Sequence, residues 1–146
     1  MNPDDGFREL GRQECLDRLG GVPIGRVVHT RDALPAVLPV NFCLDAESAV
    51  VLRTSADSEL ARSIDGVVVA FEADVVDAAA HSGWSVVVTG RAMVVSDPAE
   101  HHRLTRTGPR SWVASPSDVF IRIVSELVTG RELVAGRPEY GLQGPS

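Results

Sequence analysis

The 146-residue chain is 44% hydrophobic and 23% charged, ordinary material for one folded domain with a single core and no sign of disorder. Its net charge is −6 and its 14 basic residues are all arginine and scattered, which excludes the basic stripe of a nucleic-acid binder. An acidic, polar N-terminus and the lack of an apolar run near the roughly 20 residues a bilayer demands predict a cytoplasmic protein without a membrane partner.

The stretch "FRELGRQECLDRL" (7–19) sets Phe7, Leu10, Cys15, Leu16 and Leu19 at near-helical spacing, predicting an amphipathic helix stopped by Gly20 and Gly21. Three short Val- and Leu-rich strands follow: "VPIGRVVHT" (22–30), "AVLPVNFCL" (36–44) and "AVVLRT" (49–54). The turn-like "RDALP" and "DAES" separate them, as in an antiparallel meander. "SADSELARSID" (55–65) reads as a short helix with Asp57 or Ser58 as N-cap and Gly66 past its end.

Two further strands are "VVVAFEADV" (67–75) and the segment "HSGWSVVVTGRAMVV" (81–95). "SDPAEHHRLTRTG" (96–108) offers Ser96 or Asp97 as cap, Pro98 at the first helical position and Gly108 as terminator. "PRSWVASPSD" has no period and reads as a loop. "VFIRIVSELVTGREL" (119–133) closes the pattern as one bent strand or two short ones, and the Pro/Gly-rich tail from 136 to 146 is expected to fray. Six or seven strands with two or three helices predict a mainly β (α+β) antiparallel barrel, a single domain over 1–146.

Familiar catalytic signatures are missing: the sequence has no GxGxxG, GxxxxGK[ST], GxSxG or HExxH. His101 and His102 are adjacent, so on a helix they point about 100° apart and read as a solvated face. Glu72, Asp74 and Asp77 read as a solvated turn in preference to paired acids, and neither His29 nor His81 has a companion at ligand spacing. Cys15 and Cys43, far apart and outside any CxxC, are expected to be reduced, buried thiols.

Strand parity sharpens the search. Trp84, Val86, Val88, Gly90, Ala92 and Val94 share one small apolar face suited to a barrel interior. Ser85, Val87, Thr89, Arg91 and Met93 share the other, which predicts a cleft or a subunit contact. Asn41 between Val40 and Phe42, and Arg53 beside Thr54, repeat the theme of a hydrogen-bonding residue delivered from an apolar strand. The candidate site is therefore Asn41, Arg53, Thr54, Ser55, Ser58, Arg62, Trp84, Ser85 and Arg91.

The ordered set "PVNF", a strand ending "RT" before an "SxL" helix start, "FEADVVD", "GWSVVVTGRA" and "TGREL" resembles the pyridoxamine 5′-phosphate oxidase-like superfamily. The resemblance covers roughly 8–133 and is nearest the small bacterial branch with nitroimidazole-resistance reductases. It implies a six-stranded split β-barrel with flanking helices, a homodimer with FMN at each subunit junction, and oxidoreductase chemistry on a small flat substrate. Deazaflavin F420 is the alternative cofactor, and a cofactor-lost dimer the non-enzymatic alternative. By the same resemblance, Asn41 and Thr54 face the flavin ring, and Arg53, Ser55 and Ser58 face ribityl and phosphate. Trp84 and Arg91 line the pocket or the junction.

One residue departs from the pattern. Members of the family it resembles usually carry a basic residue directly after the serine, where this chain has Glu59. A carboxylate about 6 Å from a phosphate charge costs on the order of 2–3 kcal/mol at an effective dielectric of 20. Either Glu59 turns to solvent while Arg62 and Arg91 take over, or FMN binds poorly.

Overall fold

The computed structural model describes residues 6–111 and 115–133. The strands are β1 (Phe7–Leu10), β2 (Ile24–Arg31), β3 (Leu34–Leu44), β4 (Val50–Ser55), β5 (Val68–Asp77), β6 (Ser82–Val94), β7 (Asp118–Ile123) and β8 (Leu127–Leu133). The helices are α1 (Arg12–Leu19), α2 (Glu59–Ile64) and α3 (Pro98–Thr107). All pairings are antiparallel, and β6 also pairs with β7, which closes β6-β5-β2-β3-β4-β7 into a six-stranded barrel. The expected tail from 136 to 146 and the middle of the 109–118 loop lie outside the described residues.

The eight strands exceed the six or seven expected because β1 and β8 extend the sheet beyond the barrel, along the first half of β6. The helix predicted from residue 7 begins only at Arg12. Phe7–Leu10 instead forms a strand on β8, with Arg8 bridging Glu14 and Glu132 at 3.0 and 2.9 Å. Long-range pairing outweighs a helical spacing that only local residues could read. The Gly11 amide then donates to the Glu14 carboxylate at 3.0 Å and opens α1.

Elsewhere local chemistry decides. Ser58 caps α2, its Oγ accepting from the Ala61 amide at 3.0 Å, and Asp97 with Pro98 opens α3. The parity predicted for β6 holds: Val86, Val88, Gly90 and Ala92 are buried, with Trp84 and Val94 packed against the same core. Phe42, Leu52, Phe71 and Ile121 fill the barrel, and Leu16, Leu19, Leu60 and Ile64 add the helical layer. A second cluster of Val51, Leu104 and Phe120 lies under α3, with half-buried Cys43 against it. Cys15 is fully buried, as expected; Cys43 is not, because it sits on the outer face of β3. Both are free thiols.

The barrel is split at one seam. β3 is 11 residues long, yet only Phe42, Cys43 and Leu44 pair with β4, at Leu52, Val51 and Val50. Before Phe42, β3 pairs with β2 alone, from Ile24↔Asn41 to Arg31↔Leu34. Beyond Leu52, β4 continues as Arg53, Thr54 and Ser55 with β7 on its other side. The two strands part, and each presents an edge of backbone N–H and C=O groups to the gap.

Candidate functional site

The gap opens into a cleft of about 580 Å³, within the size range of small-molecule sites. Its walls are Ile24, Leu38, Pro39 and Val40 on the β2–β3 side, with Arg53, Thr54 and Ser55 opposite. Parity puts Arg53 on the outer face with Asp118 and Phe120 of β7, and the Arg53 Nε donates to the Asp118 carboxylate at 2.9 Å. The guanidinium also lies 5.4 Å from the Phe120 ring centroid. Asp118 has a 6% exposed side chain and accepts from the Ser115 amide as well. Arg53 is therefore held by a carboxylate and a ring.

Asn41 reaches the same cleft, but its Nδ2 donates to the Arg110 carbonyl at 3.0 Å and so tethers the chain just after α3. The Thr54 hydroxyl donates to Ser58 Oγ at 3.0 Å, the oxygen that already caps α2. Ser55 turns its hydroxyl to Asp57 at 3.3 Å. Four of the nine predicted residues, Asn41, Arg53, Thr54 and Ser55, thus line one cleft, and Ser58 joins them through Thr54.

The structure does not bring the other four there. Arg62 donates to the Asp57 carbonyl at 2.6 Å and pairs with Glu59 at 3.2 Å. Trp84, partly buried, packs against the hydrophobic core. Ser85 lines a separate groove with Phe7, Val87 and Arg131. Arg91 donates to the Gly66 carbonyl at 2.5 Å, satisfying an acceptor in the turn after α2. Glu59 does not stand alone in solvent: Arg31 at 3.5 Å and Arg62 at 3.2 Å both hold it. Arg62 and Arg91, expected to take over the phosphate, are engaged elsewhere.

The sequence reading missed Asp118 and Arg110. Both sit at the margins of "PRSWVASPSD", a stretch without period, and only the β4–β7 register brings Asp118 opposite Ser55. A slightly larger hollow of about 600 Å³ lies beside α3 and β7, and both of its arginines, Arg103 and Arg122, are paired with carboxylates. Arg122 bonds Asp45 at 2.8 Å and Glu100 at 2.6 Å. Burial works against the Asp45 charge, yet bonds from the Ala49 amide and Arg122 outweigh it and hold the carboxyl low.

Glu72 and Asp74 sit side by side on β5, not in a turn, and share Arg26 at 2.9 and 3.5 Å. Burial first, then the hydrogen bond and charge of Asp74, push the Glu72 carboxyl up to about 7, Arg26 offsetting part of the rise. Asp77 does sit at the turn, accepting from the Ala80 amide at 3.1 Å. His101 packs edge-on to Phe120, while His102 is exposed. No group of three or more His, Cys, Asp or Glu among the described residues is arranged to hold a metal ion. No helix among them is long and apolar enough to cross a membrane.

A family model described as pyridoxamine 5′-phosphate oxidase matches residues 11–132. The chain belongs to this family. It is 44% identical over 138 residues to the protein Rv0080 of Mycobacterium tuberculosis, covering 87% of this chain and 86% of that one. A structure described as the FAD binding protein from Mycobacterium smegmatis superposes with a TM-score of 0.77 at 32% identity, over 88% of this chain and 100% of the other. A candidate 5-nitroimidazole antibiotic resistance protein from Bacteroides thetaiotaomicron shares the fold at a TM-score of 0.65 and 14% identity, over 87% and 89%. The family's split barrel, expected from "PVNF", "RT" and "GWSV", is the fold observed, and one protein described by nitroimidazole resistance is among its structural neighbours.

Proposed function

We propose that this member of the family is a flavin-binding oxidoreductase that takes FMN and acts as a homodimer on a small flat substrate. The observation that carries the reading is the split itself: two parted strand edges flank an apolar cleft of about 580 Å³ with Arg53 and Thr54 on one wall. The donor set suits a flavin. A flat aromatic system needs apolar walls, which Ile24, Leu38 and Pro39 supply, and its polar edge needs donors, which Arg53 and the free strand edges supply. The 32% identical neighbour from Mycobacterium smegmatis is described as an FAD binding protein, which supports a flavin as the ligand class.

A bound flavin supplies the redox chemistry, and the chain supplies position, electrostatics and exclusion of water. The pairing of Glu59 with Arg31 and Arg62 offsets the repulsion that a bare carboxylate would exert on a phosphate. Ile24 and Leu38 at the cleft, and Leu34 and Val37 further along β3, leave apolar side chains exposed, a surface a second subunit would cover.

Titrating FMN with the protein and following flavin fluorescence tests the reading. Wild type should quench the emission, and Leu38→Trp, which fills the cleft, should weaken binding about tenfold or more while leaving circular dichroism unchanged. A Trp variant that binds as well as wild type would put the ligand elsewhere. A wild type that leaves the emission untouched would remove the flavin.

A further inference from the structure

The cleft holds two arginines in opposite electrostatic states. Arg53 has a 17% exposed side chain and is paired through Nε with Asp118, itself 6% exposed. No hydrogen bond engages its Nη1 or Nη2 among the described residues. Arg110 is exposed, lines the same cleft, and makes no ion pair among the described residues, its backbone fixed by Asn41. We infer that Arg53 grips the uncharged acceptor edge of the flavin ring, and that Arg110 is the handle for the phosphate. This rests on the flavin reading above and reassigns Arg53, expected from the sequence to meet ribityl and phosphate.

The physical reason is neutralisation. Arg53 and Asp118 together carry no net charge, so the carboxylate on the Nε side offsets a large part of the attraction that a phosphate beside the free end would feel. An uncharged acceptor escapes that penalty. The unused end of the guanidinium carries two parallel N–H groups, which match a carbonyl oxygen beside a ring nitrogen. The hold on Arg53 by Asp118, the Phe120 ring and the β4–β7 register fixes such a fork in advance, so less freedom is lost on binding. Arg110 has no counter-carboxylate among the described residues, so its charge is available to an anion, screened as any surface charge is.

FMN and riboflavin, which differ only by the phosphate, separate the roles. Arg53→Gln combined with Asp118→Asn removes both charges together and leaves no buried ion unpaired. It should weaken both ligands by the same factor, on the order of 10- to 100-fold. Arg110→Ala should weaken FMN about fivefold at low salt and leave riboflavin within about twofold. Thermal melts confirm that each variant folds. If the double variant does not, Asp118→Asn alone serves: it should change both affinities alike, and selective tightening of FMN would overturn the assignment. Loss of FMN with riboflavin spared in the double variant, or equal losses for Arg110→Ala, would overturn it too, and so would a wild type that binds FMN but not riboflavin. A wild type that binds neither would instead defeat the flavin reading itself.

Discussion

Arg26 on β2 faces two carboxylates, Glu72 and Asp74, and that crowding has a pH consequence. The Glu72 carboxyl is pushed up to about 7, first by burial and then by Asp74, whereas in an unfolded chain it titrates near about 4.3. Between those values the folded state binds the extra proton, so this stabilisation is full below the unfolded value and lost as pH rises through about 7. Solvent screening of a surface group holds it to about 1 kcal/mol, or about 3 °C in melting temperature. Melts at about pH 5.5 and about pH 8 should show that loss in wild type and not in Glu72→Gln; equal pH slopes in both would contradict it. His29 makes a second residue-scale case, with Nδ1 buried and lacking a hydrogen-bond partner among the described residues. Relieving such a group is worth about 1 kcal/mol, so His29→Leu should raise the melting temperature, and a lower one would mean the imidazole is satisfied. Capping residues such as Ser58 and Asp97 were legible in the sequence because their partners lie within three positions. The acceptor of Arg91 was not, since Gly66 lies 25 residues away and only the fold brings it near.

At the scale of elements, β6 is the spine of the molecule, pairing with β5, β7 and β8 along its length. Its Gly90 sits where a Cβ would collide with the Val124 carbonyl, in the segment between β7 and β8. Gly90→Ala must push that backbone aside, and a loss of about 2–3 kcal/mol in urea unfolding is expected. A loss below about 0.5 kcal/mol would mean the crossing is loose. Alternation in the strand announced the buried face correctly, because period-two patterning follows from the backbone alone. The same reasoning failed at Phe7–Leu10, whose spacing is helical but whose amides pair with β8 near the other end of the chain. It also left the Arg53–Asp118 pair hidden, since that contact depends on register between strands 65 residues apart.

For the whole molecule, the barrel and its seam follow from strand lengths: β3 outruns its pairing with β4, and the excess becomes the cleft wall. The barrel class was readable from many short strands. The seam was not, because nothing in "AVLPVNFCL" says where pairing stops; only the family resemblance implied a split. The cleft and the exposed Ile24, Leu34, Val37 and Leu38 together predict a dimer that buries them. Replacing Val37 and Leu34 with Glu should shift the sedimentation of a dimer toward the monomer, and unchanged sedimentation would place the contact elsewhere.

The most direct measurement is gel filtration with light scattering after incubation with excess FMN. A yellow peak of twice the chain mass, with one FMN per subunit, is the result expected. A colourless peak of single-chain mass, with all the flavin eluting free, would contradict the account.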